Sequence, residues 1–221
     1  MRRPLIVATL NPGKLREFRE LLEDLPFELH GLGELKVAAP EETGKSFLEN
    51  ALLKARHAAA AALAAGWHGP AAQGVAALAD DSGLEVDALG GAPGIFSARY
   101  AGEGADDAAN NAKLKTVLAG IPAERRQARY RCALAFVSAP ADDAPLVAEG
   151  VWEGCILEAP RGSGGFGYDP YFWIPRLGVT AAQLDRAEKN RLSHRGQALR
   201  ALRDQLAARE ELSAHRRRAP P

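Results

Sequence analysis

The chain has 221 residues, 47% hydrophobic and 25% charged, which is enough apolar material for a packed core and too much for a disordered chain. Lys plus Arg and Asp plus Glu both number 28, so the formal net charge is zero. That balance argues against a broad basic surface for duplex nucleic acid or an anionic membrane, and leaves room for a small anion held by a few focused cations.

Leu5 to Thr9 reads as a buried strand. Asn11 is a good helix N-cap and Pro12 a favoured first helical residue, predicting a helix to about Leu25 with Leu15, Phe18, Leu21, Leu22 and Leu25 on its buried stripe. The basic start and short apolar run before it imitate a signal peptide, but the run enters Asn-Pro-Gly-Lys without a small-residue cleavage site. Ser46 followed by Glu49 is a capping-box pattern opening an alanine-rich helix to about Ala65. Residues 66–73 then read as an exposed loop, with His68 solvated. The apolar run Gly74 to Ala79 predicts a buried strand ending at Asp80-Asp81-Ser82-Gly83. A helix over about Asp106 to Leu118 is closed by Gly120 and Pro122. Tyr130, Cys132, Leu134 and Phe136 alternate with Arg129, Arg131, Ala133 and Ala135 in the period of a strand, for which Leu146 to Trp152 is an antiparallel partner. A glycine-rich stretch follows, then a capped helix near Thr180 with Gln183 three residues on, and a last helix after Ser193. The tail from about residue 211 is expected to fray. This order predicts a mixed α/β fold, and the chain shows no linker that would divide 1–221. Cys132 and Cys155 lack metal-ligand spacing and read as free thiols of a reducing cytoplasm, and no segment is long enough to span a bilayer.

Two adjacent carboxylates, Asp80 and Asp81, at the end of a buried strand are costly unless something uses them. Hard oxygen ligands there suit Mg²⁺, while Asp-Asp-Ser-Gly is also good turn chemistry. Thr9-Leu10-Asn11-Pro12-Gly13-Lys14 runs from a strand through a glycine turn into a helix N-terminus. Its unpaired backbone N–H groups and a lysine suit phosphate, although a plain connection with a surface lysine has the same pattern. Residues 162–172 combine glycines with aromatics, so backbone can approach a ligand and rings can stack on a base. Phe166 is the best stacking candidate there and Phe172 a core residue. His194 and Arg195 fall in the first turn of the last helix, where cations oppose the helix dipole; an anionic ligand would compensate, and a solvated charged turn is the alternative. Thr43-Gly44-Lys45-Ser46 fails as a P-loop because Ala39 stands where a glycine is needed, and Gly90 to Gly94 fails the dinucleotide fingerprint.

In order, Thr9-x-Asn11-x-x-Lys14, Glu41-Glu42-Thr43-Gly44, Phe47-x-Glu49-Asn50-Ala51-x-x-Lys54-Ala55, Ala79-Asp80-Asp81-Ser82-Gly83-Leu84, Gly90 through Gly102, Gly164 through Pro170 and Ser193-His194-Arg195-Gly196 resemble the inosine triphosphate pyrophosphatase family, the dITP/XTP or non-canonical purine nucleoside triphosphate pyrophosphatases. The resemblance covers nearly the whole chain. It implies a two-lobed α/β fold with a long central mixed β-sheet flanked by helices, a cleft between lobes, and a homodimer, in keeping with the cytoplasmic location read from the residues. It also implies Mg²⁺-dependent hydrolysis of ITP, dITP or XTP to the monophosphate and pyrophosphate. Carried over by position, Thr9, Leu10, Asn11, Pro12, Gly13 and Lys14 bind phosphates with help from Lys54. Glu41 and Asp81 hold the metal, and Asp81 is the proton acceptor. Ser82, Phe166, Gly167, Tyr168, Asp169, Lys189, His194 and Arg195 bind substrate. Leu10, the 66–73 loop and the extended tail depart from the family pattern. The alternatives are a Maf-type pyrophosphatase of pyrimidine or modified nucleotides and a non-catalytic nucleotide sensor.

Overall fold

The structure, a computed structural model, describes residues 2–68 and 74–218, with side chains to residue 209. Its strands are β1 (Arg3–Val7), β2 (Phe27–Gly31), β3 (Ala76–Val86), β4 (Gln127–Val137), β5 (Leu146–Ile156), β6 (Phe172–Ile174) and β7 (Val179–Thr180). Its helices are α1 (Pro12–Leu21), α2 (Leu32–Leu35), α3 (Phe47–Ala64), α4 (Asp107–Val117), α5 (Arg186–Leu192) and α6 (His194–Arg218). The strands form one seven-stranded sheet in the order β2-β1-β3-β4-β5-β6-β7. It is mixed: β1 pairs parallel to β2 and β3, while β6 pairs antiparallel to β5 and β7.

The chain divides into two compact units, one of residues 1–81, 133–149 and 198–221, the other of 82–132 and 150–197. In the first, Ala51, Ala55, Ala58, Ala59 and Ala62 of α3 are fully buried with Ile6, Ala77, Ala79 and Val137 of the strands. Small side chains on that helix face let backbone approach backbone, so the core is dense without large residues. In the second unit, Phe172 is fully buried, with its ring centroid 4.5 Å from that of Tyr130 and 5.4 Å from that of Trp152. Leu84, Leu114, Leu118 and Ile156 complete that cluster.

Several elements differ from the sequence expectation. α1 stops at Leu21, not near Leu25, with Leu22 as C-cap. Ser46 accepts the Glu49 N–H at 3.1 Å as expected of a capping box, but the Glu49 carboxylate takes the Lys45 N–H (2.7 Å) instead of closing the box on Ser46. The capped helix expected at Thr180 is a single 3₁₀ turn, Ala181–Gln183. Trp67, expected in an exposed loop, packs against the alanine-rich core and meets the His30 ring edge-on at 4.7 Å; residues 69–73 of that loop lie outside the described residues. Helical backbone continues to Arg218, beyond the point where fraying was expected to begin. Both cysteines are free, and no helix among the described residues is long and apolar enough to cross a membrane.

Candidate active site

β3 is the element that departs furthest from expectation. Asp80-Asp81-Ser82-Gly83 neither ends the strand nor turns; β3 runs through it to Val86. The carboxylates are tolerated there because each has cationic partners. Lys14 of α1 bonds Asp80 at 2.9 Å, and Lys54 of α3 bonds Asp81 at 2.8 Å. Asp80 and Asp81 are only 3% and 7% exposed, so these pairs lie where solvent screens little.

Asn50 completes this cluster. It is fully buried on the same face of α3 as Lys54; its amide nitrogen donates to Asp81 Oδ2 (3.0 Å) and its carbonyl accepts the Gly44 N–H (2.8 Å). Asn50 thus ties the loop before α3 to the Asp81 carboxylate. Gly44 must be glycine, since a Cβ there would lie 2.5 Å from Asn50 Oδ1 and 2.9 Å from its backbone nitrogen. In the same loop Glu41 is exposed, whereas its neighbour Glu42 bonds Lys54 at 2.9 Å.

Negative charge exceeds positive around Lys54. Burial works to lower its pKa, but Asp80, Asp81 and Glu42 together raise it, so the ammonium stays charged. At Asp81 burial is the largest influence and Glu42 adds to it; Lys54 and Asn50 pull the other way, and the carboxyl is left above its ordinary value. A carboxylate held above its usual range in a cationic, hydrogen-bonded setting can accept a proton.

The turn before α1 corrects a second expectation. Three of its backbone donors are paired: Asn11 Oδ1 accepts the Gly13 N–H (2.8 Å) and the Lys14 N–H (3.2 Å), and Thr9 Oγ1 accepts the Asn11 N–H (3.1 Å). Asn11 is the N-cap, as its residue type predicts, and capping consumes the donors that the glycine turn offered. Pro12 opens the helix and Leu10 is 58% exposed. The Lys14 ammonium and the Thr9 hydroxyl are therefore the groups of this turn best able to meet a phosphate.

In the second unit, residues 166–169 fold back on the carboxylate of Asp169. Asp169 is 3% exposed and accepts the Phe166 N–H (2.8 Å), the Tyr130 hydroxyl (3.3 Å) and the Lys189 ammonium. Gly165 sits at φ +72°, and a Cβ there would collide with that carboxylate, so only glycine lets the loop close. The Phe166 ring stays 45% exposed, with Lys189 Nζ 4.7 Å and Arg195 Cζ 5.8 Å from its centroid. Arg195 also donates to Ser82 Oγ (3.2 Å). His194, in the first turn of α6, lies stacked on Tyr130 of β4 at 4.8 Å, and the hydroxyl of Ser193, which opens that turn, accepts the Gly196 N–H at 3.1 Å. Tyr168 is core, its hydroxyl donating to the Ser97 carbonyl at 2.8 Å, and Phe172 is core as expected. Burial, with Asp169 beside it, holds the Tyr130 hydroxyl well above the ordinary phenol value, so it stays protonated and donates.

Each unit therefore presents one cluster. The first gathers Lys14, Lys54, Asp80 and Asp81; the second gathers Ser82, Phe166, Asp169, Lys189 and Arg195. Asn50 and Glu42 were not among the residues assigned a role from sequence. Asn50 could have been found, because a polar residue at the i−4 position to Lys54 on an otherwise alanine-lined helix face signals a buried partner.

A model of the Ham1 family matches residues 5–205. The dITP/XTP pyrophosphatase of Xanthomonas campestris pv. campestris is 53% identical over 204 residues, covering 92% of this chain and 97% of that protein. The dITP/XTP pyrophosphatase of Methylococcus capsulatus is 52% identical over 208 residues, covering 94% and 98%. Among solved structures, a HAM1 protein from Coxiella burnetii superposes with a TM-score of 0.83 at 45% identity, over 94% of this chain and 100% of that one. The chain belongs to the Ham1 family.

Proposed function

We propose that the chain hydrolyses the non-canonical purine nucleoside triphosphates ITP, dITP and XTP to the monophosphate and pyrophosphate. The observation that carries the reading is the buried pair Asp80 and Asp81 inside β3, each bonded to a lysine from a different helix. Such a cluster stores both signs of charge where a polyphosphate and a cation would exchange partners with it. The name borne by the Xanthomonas and Methylococcus relatives supports the substrate class.

The donor set fits Mg²⁺. Asp81 offers a buried hard-oxygen carboxylate, and Mg²⁺ needs only one or two of these, keeping water and taking phosphate oxygens at its other positions. Asp81 and Glu41 are the ligands of this reading, with Glu42 the adjacent acid tied to Lys54. When bound, the ion neutralises phosphate charge and acidifies a water. Asp81 accepts the proton of the water that attacks the α-phosphorus; the new P–O bond forms as the bond to the β-phosphate oxygen breaks and pyrophosphate leaves. Thr9 and Lys14 of the turn Thr9 to Lys14, with Lys54 of α3, hold the triphosphate. Phe166 stacks on the base, with Gly167, Tyr168 and Asp169 shaping the loop that presents it. Lys189, His194, Arg195 and Ser82 supply polar contacts. Donors such as Arg195 meet the O6 acceptor of hypoxanthine or xanthine, but meet a donor amino group in adenine, where an unpaired buried group costs about 1–3 kcal/mol. The same reading carries a cytoplasmic homodimer.

Product analysis tests it. ITP with Mg²⁺ is expected to give IMP and pyrophosphate in equal amounts, with EDTA abolishing turnover. Release of orthophosphate and IDP, or full activity in EDTA, would refute it.

A further inference from the structure

We propose that Asp107 and Asn111 of α4 are positioning residues that fix the pose of the Phe166 ring for the nucleobase. The inference rests on the pyrophosphatase reading and adds to it two residues outside its binding set. Asp107 Oδ2 accepts the Gly167 N–H at 2.6 Å, and Asn111 Nδ2 donates to the Gly167 carbonyl at 2.9 Å. The N–H belongs to the peptide plane joining Gly167 to Phe166, and the carbonyl to the plane joining it to Tyr168. Holding both fixes the two planes that flank the residue after Phe166. Four residues apart on a helix, Asp107 and Asn111 share one face, so a single rigid element supplies both bonds.

Gly167 sits at φ +61° with no heavy atom within 4 Å of where a Cβ would be, so packing does not restrain it. Glycine is the residue with the most backbone freedom to lose. Phe166 is 45% exposed, and within the loop its backbone is held by Asp169, whose carboxylate accepts the Phe166 N–H at 2.8 Å and whose own N–H donates to the Phe166 carbonyl at 3.3 Å. Asp107 is not needed as a helix cap, because Asp106 fills that role by accepting the Ala109 N–H at 2.8 Å. α4 is itself anchored: Asn110, 4% exposed, bonds the Ala101 N–H (2.8 Å) and the Ala98 carbonyl (3.1 Å). A charged acceptor at short range makes the Asp107 bond the stronger of the two.

Loosening the clamp lowers the fraction of molecules with Phe166 in its binding pose. Apparent affinity falls by that fraction, while the chemistry at the α-phosphorus, carried by other residues, proceeds as before. In steady-state kinetics with ITP, Asp107→Ala is therefore expected to raise KM about tenfold with kcat within about twofold. Asp107→Asn, whose amide oxygen still accepts, is expected to stay near the parent. In a Phe166→Ala background, Asp107→Ala is expected to add almost nothing, because the ring through which it acts is gone. An unchanged KM in Asp107→Ala, or the same KM increase with and without Phe166, would overturn the proposal. Amide hydrogen exchange at Gly167 tests the clamp without turnover. It is expected to quicken in Asp107→Ala at an unchanged Tm, and unchanged exchange would overturn the proposal even if ITP hydrolysis itself failed. Should Asp107→Ala not fold, Asn111→Ala carries the same measurements.

Discussion

Asp81 shows how a functional demand is written into the energetics of one side chain. Its carboxyl is held above the ordinary value of 3.8, first by burial and then by Glu42, against the pull of Lys54 and Asn50. A folded pKa above the unfolded one means that Asp81 adds stability below its unfolded pKa, and that this is lost as pH rises through the folded value. At neutral pH the ionised carboxylate is thus a cost to stability, which the proposed role of Asp81 would account for. Asp81→Asn is expected to lower kcat for ITP by about 10²-fold or more, the usual worth of a general base, because ligand charge and base go together. Its Tm at pH 7 is expected to match or exceed that of the parent, since Lys54 keeps its bond to Glu42. Near-parent turnover in the folded variant would contradict the role. In the parent, kcat/KM for ITP is expected to fall on the acid side with a midpoint above 3.8, the direction of the Asp81 shift. Residue identity made Asp81 legible from sequence, as adjacent carboxylates after an apolar run. Its partners were less so, because hydrogen bonds such as Asn50 to Asp81 join residues 31 positions apart.

Among elements, β3 and α3 carry the charge-paired cluster. The sequence stopped β3 at Asp80 because charged residues and a glycine look like strand punctuation; with lysines from α1 and α3 in reach, the strand continues through them. Three helix starts were read well, since caps are local: Asn11, Ser46 and Ser193 act where residue type and spacing placed them, whereas the cap pattern at Thr180 opens only a 3₁₀ turn. The same locality misled the phosphate turn, where Asn11 occupies the donors that looked available. Helix α3 is also gripped from its N-terminal side through Gly44. Gly44→Ala is expected to cost about 1–3 kcal/mol, as overpacking does, and to reduce activity by displacing Asn50 from Asp81. Denaturant unfolding alongside ITP kinetics checks both effects; a variant of parent stability and activity would show that the loop is not held against α3 in this way.

At the scale of the whole molecule, three strands each contribute to both compact units, and the consecutive residues Asp81 and Ser82 fall one in each. The mixed α/β class followed from the order of predicted strands and helices, but the sheet order did not. β5 was expected beside β4 and lies there; placing β4 beside β3, and short β6 and β7 beyond β5, depends on long-range pairing that hydrophobic period does not encode. Under the proposed function the charge-paired cluster serves the phosphates and the aromatic, cation-flanked cluster serves the base. The most direct test of that account is the ratio of kcat/KM for ITP to those for ATP and GTP, measured by pyrophosphate release under one Mg²⁺ condition. The account predicts a preference for ITP of about 10²-fold or more, each 1.36 kcal/mol of mismatch at the base being tenfold in rate; comparable values for all three nucleotides would contradict it.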